Sequence, residues 1–416
     1  MKNEKLVATL EAAGTNLPLF FTELELSIKS RKDRLDRVDL LMDLTERLSN
    51  AKVPFAEEAM RWLADNTRNN PDDRELLCAT AKAIGNIASQ RDLLSKAGVQ
   101  GAAWHSLRSL PPDIGISQLH LVRQWLRSDK QPRLGIWLLK DWQSFIDARS
   151  IVEDVAALFQ PKAPVPSRDE AAWTEAEARI DWTMIQHSLS DGVTEWLLEN
   201  VPEQLFMIII KALMACVEIE AVMECCKAPF DRSNQWLHAI EASNRSRTGF
   251  SRHIYQAYLL MLARDSLAQL YKDSKTWDKC VEELIDGEWV FMHRLAMNAL
   301  ANCRNRKGLA HAKQAIVAWS ERTKDMRWFF RVRHELLVLL KARANAFVDL
   351  RDPDASEANS LLLCFEDSLR VQIVSTEKDE QKEKYFDTCL RDVLIAFRKK
   401  LWSEPLRLDT FACELR

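Results

Sequence analysis

The stretch WVFMHRLAMNAL, Trp289 to Leu300, decides how this chain is read. Its apolar residues recur three and four positions apart, the spacing of one buried helix face. Sliding it forward by 39 residues lays Arg294 on Arg333, Leu295 on His334, Ala299 on Val338 and Leu300 on Leu339, within RVRHELLVLL (Arg331 to Leu340). The same step backwards reaches YQAYLLM, Tyr255 to Met261, another helix-like apolar segment. A period of about 40 residues holding two helices is what an α-solenoid requires, because each helix pair must bury its apolar face against the next pair.

Composition points the same way. Apolar residues make up 47% of the 416 residues and charged residues 29%, so most of the chain has the means to fold around apolar cores. Ten glycines are too few for folds built on many tight turns or on glycine-rich phosphate loops. Helix formers dominate nearly every segment, and no convincing period-two alternation marks a strand. Tryptophans such as Trp62, Trp125, Trp289 and Trp319 stand at helical positions where a large flat ring would fill space between helices. The expected fold is all-α: antiparallel helix pairs stacked as an α-solenoid, or two helical-bundle domains.

A net charge of -3 gives no general attraction to nucleic acid or anionic membranes and leaves local patches as the electrostatic route to either. Nine cysteines without a CxxC pair suit reduced thiols in a cytoplasmic protein better than a disulfide framework. The opening MKNEKLVATLEAAG lacks the apolar core of a signal peptide. The most apolar run, LFMIII (Leu205 to Ile210), is soon followed by Lys211, Glu218 and Glu220, so it is expected to be a buried core helix and no membrane is expected.

Three prolines in QPKAPVPSR (Pro161, Pro164 and Pro166) cannot continue a helix and favour an extended connector. Residues 1–159 are therefore expected to form an N-terminal helical domain, 160–168 a Pro-rich linker, and 169–416 a C-terminal helical-repeat domain. In the first domain, Asn70-Pro71-Asp72-Asp73 reads as a helix start: a capping side chain, a proline in the first turn, then acids facing the helix dipole. Asp33, Asp36, Asp39 and Asp43 alternate with Arg34, Arg37 and Arg47, which predicts a solvated face laced with ion pairs. Further helices are expected over Pro132 to Ala148, Arg168 to Ser188, Val193 to Asn200, Pro202 to Lys227 and Ser251 to Lys272.

Candidate chemistry is sparse. No Walker A loop, dinucleotide fingerprint, HExxH pair, nucleophile elbow or CxxC pair is present, so neither a cofactor nor a metal site is assigned. Arg304, Arg306 and Lys307 form one basic group, and Arg322, Lys324, Arg327, Arg331 and Arg333 cluster about one period later, with Trp328 and Phe329 between them. Aligned on one face of a helix stack, such residues could hold phosphates and stack on bases. The competing reading is salt bridges to Glu321, Asp325 and Glu335.

Two family resemblances sharpen these expectations. The helix-pair periodicity and the RLAMNAL-type segments over residues 250–345 resemble HEAT-like or TPR-like repeats. The resemblance implies a scaffold that presents an extended surface to a protein partner or a nucleic acid. It also makes Arg294 similar to the structural arginine of HEAT-type repeats, which pairs with neighbouring acids. Arg304-Asn305 followed by His311 resembles the motif of HEPN ribonucleases. That resemblance implies an RNA-cleaving dimer, with the histidine in proton transfer and the arginine on phosphate charge. In general style the chain is similar to helical-repeat subunits that accompany nucleases or ATPases in bacterial defence systems. The favoured expectation is a non-catalytic scaffold or adaptor for a protein partner. A DNA- or RNA-binding solenoid and a HEPN-like ribonuclease are the alternatives, and the oligomeric state is left open.

Overall fold

In the computed structural model the described residues are 16–48, 52–163, 176–190, 192–223 and 254–303, with short pieces at 233, 236, 240, 311–312, 314–318, 335–336 and 338–339. They are almost entirely helical, and the only sheet among them is a pair of two-residue strands. They fall into two compact units, one drawn from within Met1–Leu158 and Arg179–Asn200, the other from within Phe159–Ala178 and Val201–Arg416.

The first unit is a stack of helix pairs. Its elements are α1 (Leu17–Leu26), α2 (Arg31–Arg47), α3 (Lys52–Asn69), α4 (Arg74–Ala88), α5 (Ala97–Arg108), the single turn α6 (Pro112–Gly115), α7 (Leu119–Arg127), α8 (Pro132–Trp142) and α9 (Ala148–Ala156). The return segment adds α10 (Trp182–Leu189) and α11 (Val193–Asn200). Consecutive helices form hairpins: α2 on α3, α4 on α5, α7 on α8. Each layer then continues past the hairpin, with α2 against α4 and α7 against α9 on one side, and α3 against α5, α5 against α8 and α8 against α10 on the other. Packing on the neighbour and on the element beyond it defines a helix-pair stack.

Local chemistry sets where these helices start. Ser30 accepts a hydrogen bond from the Asp33 N–H at 3.2 Å, and the Asp33 carboxylate reaches back to the Lys29 N–H at 3.1 Å, a reciprocal cap on α2. The next start falls later than the sequence suggested. Asp73, not Asn70, caps α4 by accepting from the Leu76 N–H at 3.1 Å. Asn70 instead donates to the Asn66 carbonyl at 2.9 Å, closing the end of α3, because α3 runs on to Asn69 and needs its last carbonyls satisfied.

The charged stripe of α2 also divides. Arg47 pairs with Asp43 at 2.8 Å on the surface, but Arg37 is buried and donates to Ser27 Oγ at 3.0 Å. The helix expected from Pro132 breaks at Trp142 into a 3-10 turn, and a new helix starts behind Asp147, which accepts from the Arg149 N–H at 3.1 Å. Gly135 lies where α7 and α8 touch, so that a Cβ there would stand 3.0 Å from the Val122 carbonyl oxygen. Gly192, at φ 104°, holds a left-handed turn before α11 that favours glycine.

Arg179–Asn200 was expected in the C-terminal domain but packs in the first unit. The reason is visible at Arg179. Its guanidinium donates to the Ala157 carbonyl at 3.2 Å (Nε) and 3.0 Å (Nη2), to the Arg127 carbonyl at 3.0 Å, and to Asp129. A cation is thus seated on the C-terminal ends of α7 and α9, where unpaired carbonyls and the helix dipoles favour it. Ile185, Leu189, Leu197 and Leu198 complete the attachment by being buried. The helix expected over Arg168 to Ser188 begins at Trp182, because Glu177–Ala178 is spent as strand β2, antiparallel to β1 (Pro161–Lys162).

In the second unit, α12 (Pro202–Met223) lies along α13 (Ile254–Leu270), and α14 (Ser274–Asp286) and α15 (Val290–Asn302) pack on α13 and on each other. Every residue from Tyr255 to Ala263 and from Val290 to Asn298 is buried. A helix enclosed on all faces belongs at the centre of a bundle, whereas a two-layer stack leaves one face of each helix to solvent. Of the stretch 250–345 in which stacking is expected, α13 to α15 are described and most of the remainder lies outside the described residues. Leu205, Phe206, Ile209 and Ile210 are buried as core, and among the described residues no helix is long and apolar enough to cross a membrane.

Candidate functional site

Of the residues singled out from the sequence, Arg304, Asn305, Arg306, Lys307, Arg322, Lys324, Arg327, Arg331 and Arg333 lie outside the described residues. His311 is described. It sits against α14, with Nε2 3.5 Å from Asp278 Oδ1, Nδ1 3.1 Å from Gln314 Oε1, and its ring edge-on to Trp277 at 6.4 Å. Only 9% of it is exposed. Asp273 fixes the start of α14 by accepting from the Lys275 N–H and the Thr276 hydroxyl, and so sets the face that carries Trp277 and Asp278. An imidazole held between a carboxylate, an amide oxygen and an indole ties its own segment to α14.

Two polar centres are buried in the second unit. Arg294 on α15 meets Glu335, and the same carboxylate oxygen accepts from the Ile240 N–H at 3.3 Å. Around it, Asn298 and Arg264 both donate to the Ile240 carbonyl at 3.4 Å, Ser233 Oγ accepts from the Phe291 N–H at 3.0 Å, and the Trp236 and Phe291 rings stack at 5.8 Å. The arginine expected to pair with acids thus does so, across 41 residues of chain.

The second centre joins α12, α13 and the strands. The Glu220 carboxylate accepts from the Ala176 N–H at 3.3 Å and from Gln256 at 3.4 Å, Gln256 donates to the Ala176 carbonyl at 2.7 Å, and the Tyr255 hydroxyl donates to the Phe159 carbonyl at 2.5 Å. Burial pushes the Cys216 thiol and the Tyr255 hydroxyl well above their ordinary pKa values, with the Glu220 charge adding to the effect on Cys216. A thiol held protonated is a poor nucleophile, so this centre reads as a structural lock.

Among the described residues, unsatisfied charge and aromatic rings meet in the first unit, between α5 and α8. Trp104 and Arg108 are four apart on α5, and Arg133 and Trp137 are four apart on α8, so each pair shares a helix face. The Arg108 guanidinium lies 5.4 Å from the Trp104 ring centre and that of Arg133 lies 4.6 Å from the Trp137 ring centre. Packing of α5 on α8 brings the two indoles within 5.3 Å of each other. His105 is exposed beside Trp104, with ring centres 4.6 Å apart. Arg108 also pairs with Asp141 at 3.2 Å, whereas Arg133 makes no hydrogen bond or ion pair among the described residues, and its Nε is covered without an acceptor.

The sequence reading missed this cluster. Its signal was present as W-x-x-x-R and R-x-x-x-W, but nothing in the spacing tells that the two helices are neighbours. Among the described residues no group of three His, Cys, Asp or Glu side chains is placed to hold a metal ion. No family model matches the chain, and neither a curated protein nor a solved structure does.

Proposed function

We propose that this protein is a non-catalytic helical-repeat scaffold that binds a protein partner through the first unit. The helix-pair stack supports the reading. Cross-pair ties hold its layers together: Arg31 with Asp73, Thr67 with Ser109 at 2.9 Å, and Arg74 with Asp113 at 2.6 Å, spaced 39 to 42 residues apart. A stack tied in this way presents side chains on successive helices in fixed relation, which lowers the ordering cost of binding. The burial of His311 between Asp278, Gln314 and Trp277 speaks against proton transfer to an RNA backbone, which requires the ring to reach its substrate.

Labelled single- and double-stranded DNA and RNA, incubated with the full chain at low and moderate salt, test the non-catalytic part of this reading. The scaffold reading expects no degradation at micromolar protein. RNA cleavage that disappears in His311→Ala, with thermal unfolding unchanged, would replace it with the ribonuclease reading. Salt-sensitive binding lost on neutralising Arg327, Arg331 and Arg333 would replace it with the nucleic-acid-binding one.

A further inference from the structure

We infer that the Trp104–Arg108 and Arg133–Trp137 cluster is the docking site for an acidic peptide segment of the partner; this rests on the scaffold reading above. Both guanidiniums lie against indole rings, which leaves their N–H edges to face an incoming group. Arg133 makes no ion pair among the described residues; its Nε is covered, so a carboxylate brought by a partner would pair with the terminal N–H groups of the guanidinium. Arg108 holds Asp141 only at a largely exposed ion pair, which an incoming carboxylate can exchange. His105, exposed beside Trp104, adds a polar group at the margin.

Charge complementarity favours a short acidic peptide over a nucleic acid. The positive surface does not continue along the layer. On α3, the neighbour of α5, Glu58 and Asp65 stand beside Arg61 and Arg68 and neutralise them, and the Glu57 carboxylate lies over Gly98, where an added Cβ would collide with it. A polynucleotide gains affinity from a run of cations along its backbone, and this run ends after two helices. Two guanidinium forks on neighbouring helices suit two carboxylates on one extended segment. Trp104 is almost wholly buried, so its face is not free to stack on a base.

The test is fluorescence anisotropy with the full chain and three labelled probes: a glutamate-rich nonapeptide, its lysine-rich counterpart and oligo(dT). The glutamate peptide is expected to bind more weakly as salt rises, and Arg108→Gln/Arg133→Gln is expected to weaken it at least tenfold. Arg61→Gln, on α3 and paired with Glu58, is expected to bind as the parent does. Circular dichroism melts of each variant establish that the fold is kept. Undiminished binding by the double variant, no binding of the glutamate peptide to the parent at millimolar probe, or tighter binding of oligo(dT) would each overturn the inference. A partner co-purified with the parent and captured equally by the double variant would overturn it while leaving the scaffold reading intact.

Discussion

Arg294 donates twice to a single carboxylate oxygen of Glu335, from Nε at 3.0 Å and from Nη2 at 2.6 Å, with both side chains all but completely buried. Two charges removed from water are tolerated only because each satisfies the other and because backbone groups of Ser233 and Ile240 join the same network. Removing one partner leaves an unpaired buried charge. Glu335→Ala is expected to cost about 3–5 kcal/mol, read as a fall in the urea midpoint of the second unit. Arg294→Met combined with Glu335→Leu is expected to recover most of that loss, since it removes both charges while filling the space. A double variant as unstable as the single one would show that the pair holds its neighbours by more than charge.

Arg31 and Asp73 tie the first helix pair to the second at 2.5 Å, and Glu75 joins them at 2.6 Å. The hydrogen bond from Arg31, helped by the Leu76 N–H, lowers the Asp73 carboxyl from 3.8 to about 2. Because the folded-state value lies below the unfolded one, the contribution is fully present above pH 3.8 and is lost as pH falls through about 2. Asp73→Asn keeps a capping side chain but loses the charge. The variant is expected to melt below the parent at pH 6, with the gap closing between pH 4 and pH 2. A gap that stays constant down to pH 2 would assign the effect to the cap alone.

Gln100 lies at the centre of the first unit. Its amide nitrogen donates to the Ala88 and Leu93 carbonyls at 2.9 and 3.0 Å, and its oxygen accepts from the Trp125 indole at 2.8 Å. Gln100→Leu strands the Ala88 carbonyl and the Trp125 indole, while the Leu93 carbonyl keeps the Lys96 N–H, and is expected to cost about 2–3 kcal/mol. Gln100→Glu keeps the Trp125 acceptor but sets a charged oxygen against two carbonyls, so at neutral pH it is expected to be the more damaging of the two. Urea unfolding of both variants checks the order.

The thiols are expected to divide sharply by burial. Burial, reinforced by Glu203 and Glu283, pushes Cys280 up to about 12, and Cys216 is also held protonated, whereas Cys78 is exposed. With iodoacetamide at pH 8, Cys78 should label in the folded protein, and Cys216 and Cys280 only after denaturation, as read by peptide mass spectrometry. Labelling of Cys280 at the rate of Cys78 would show that α14 opens readily.

Arg179 is expected to govern how firmly the return segment is held. Arg179→Ala removes the cation from the ends of α7 and α9, a loss of about 2 kcal/mol for charge-assisted hydrogen bonds, which corresponds to roughly thirtyfold faster amide exchange in Trp182–Leu189. Arg179→Lys, a single ammonium without the fork, should recover only part of this.

These residues also explain what could be read beforehand. The all-α fold and segments such as Val193–Asn200 were legible because apolar spacing and capping side chains act locally. A period of about 40 residues is seen in the ties of the first unit, whereas the segment on which the period was read, Arg331 to Leu340, lies largely outside the described residues. Segments Tyr255–Met261 and Trp289–Leu300 align because enclosed helices share long apolar runs, and that likeness does not distinguish a repeat from a bundle core. In the first unit the repeat is carried by polar ties such as Arg31–Asp73 and Thr67–Ser109, whose residue types differ from pair to pair, and Pro111-Pro112 with a 3-10 turn separates the second pair from the third. The return of Arg179–Asn200 was invisible because it depends on two backbone carbonyls that no side-chain pattern announces.

We propose that the chain holds a protein partner and does no chemistry itself. The most direct test is mass photometry on the full-length tagged chain, purified from its native cells at physiological salt, beside the Arg108→Gln/Arg133→Gln variant. The expected result is a complex of fixed stoichiometry that can be rebuilt from the two purified proteins and that the variant fails to hold. A chain recovered without a stoichiometric partner, and active on RNA in its absence, would contradict it.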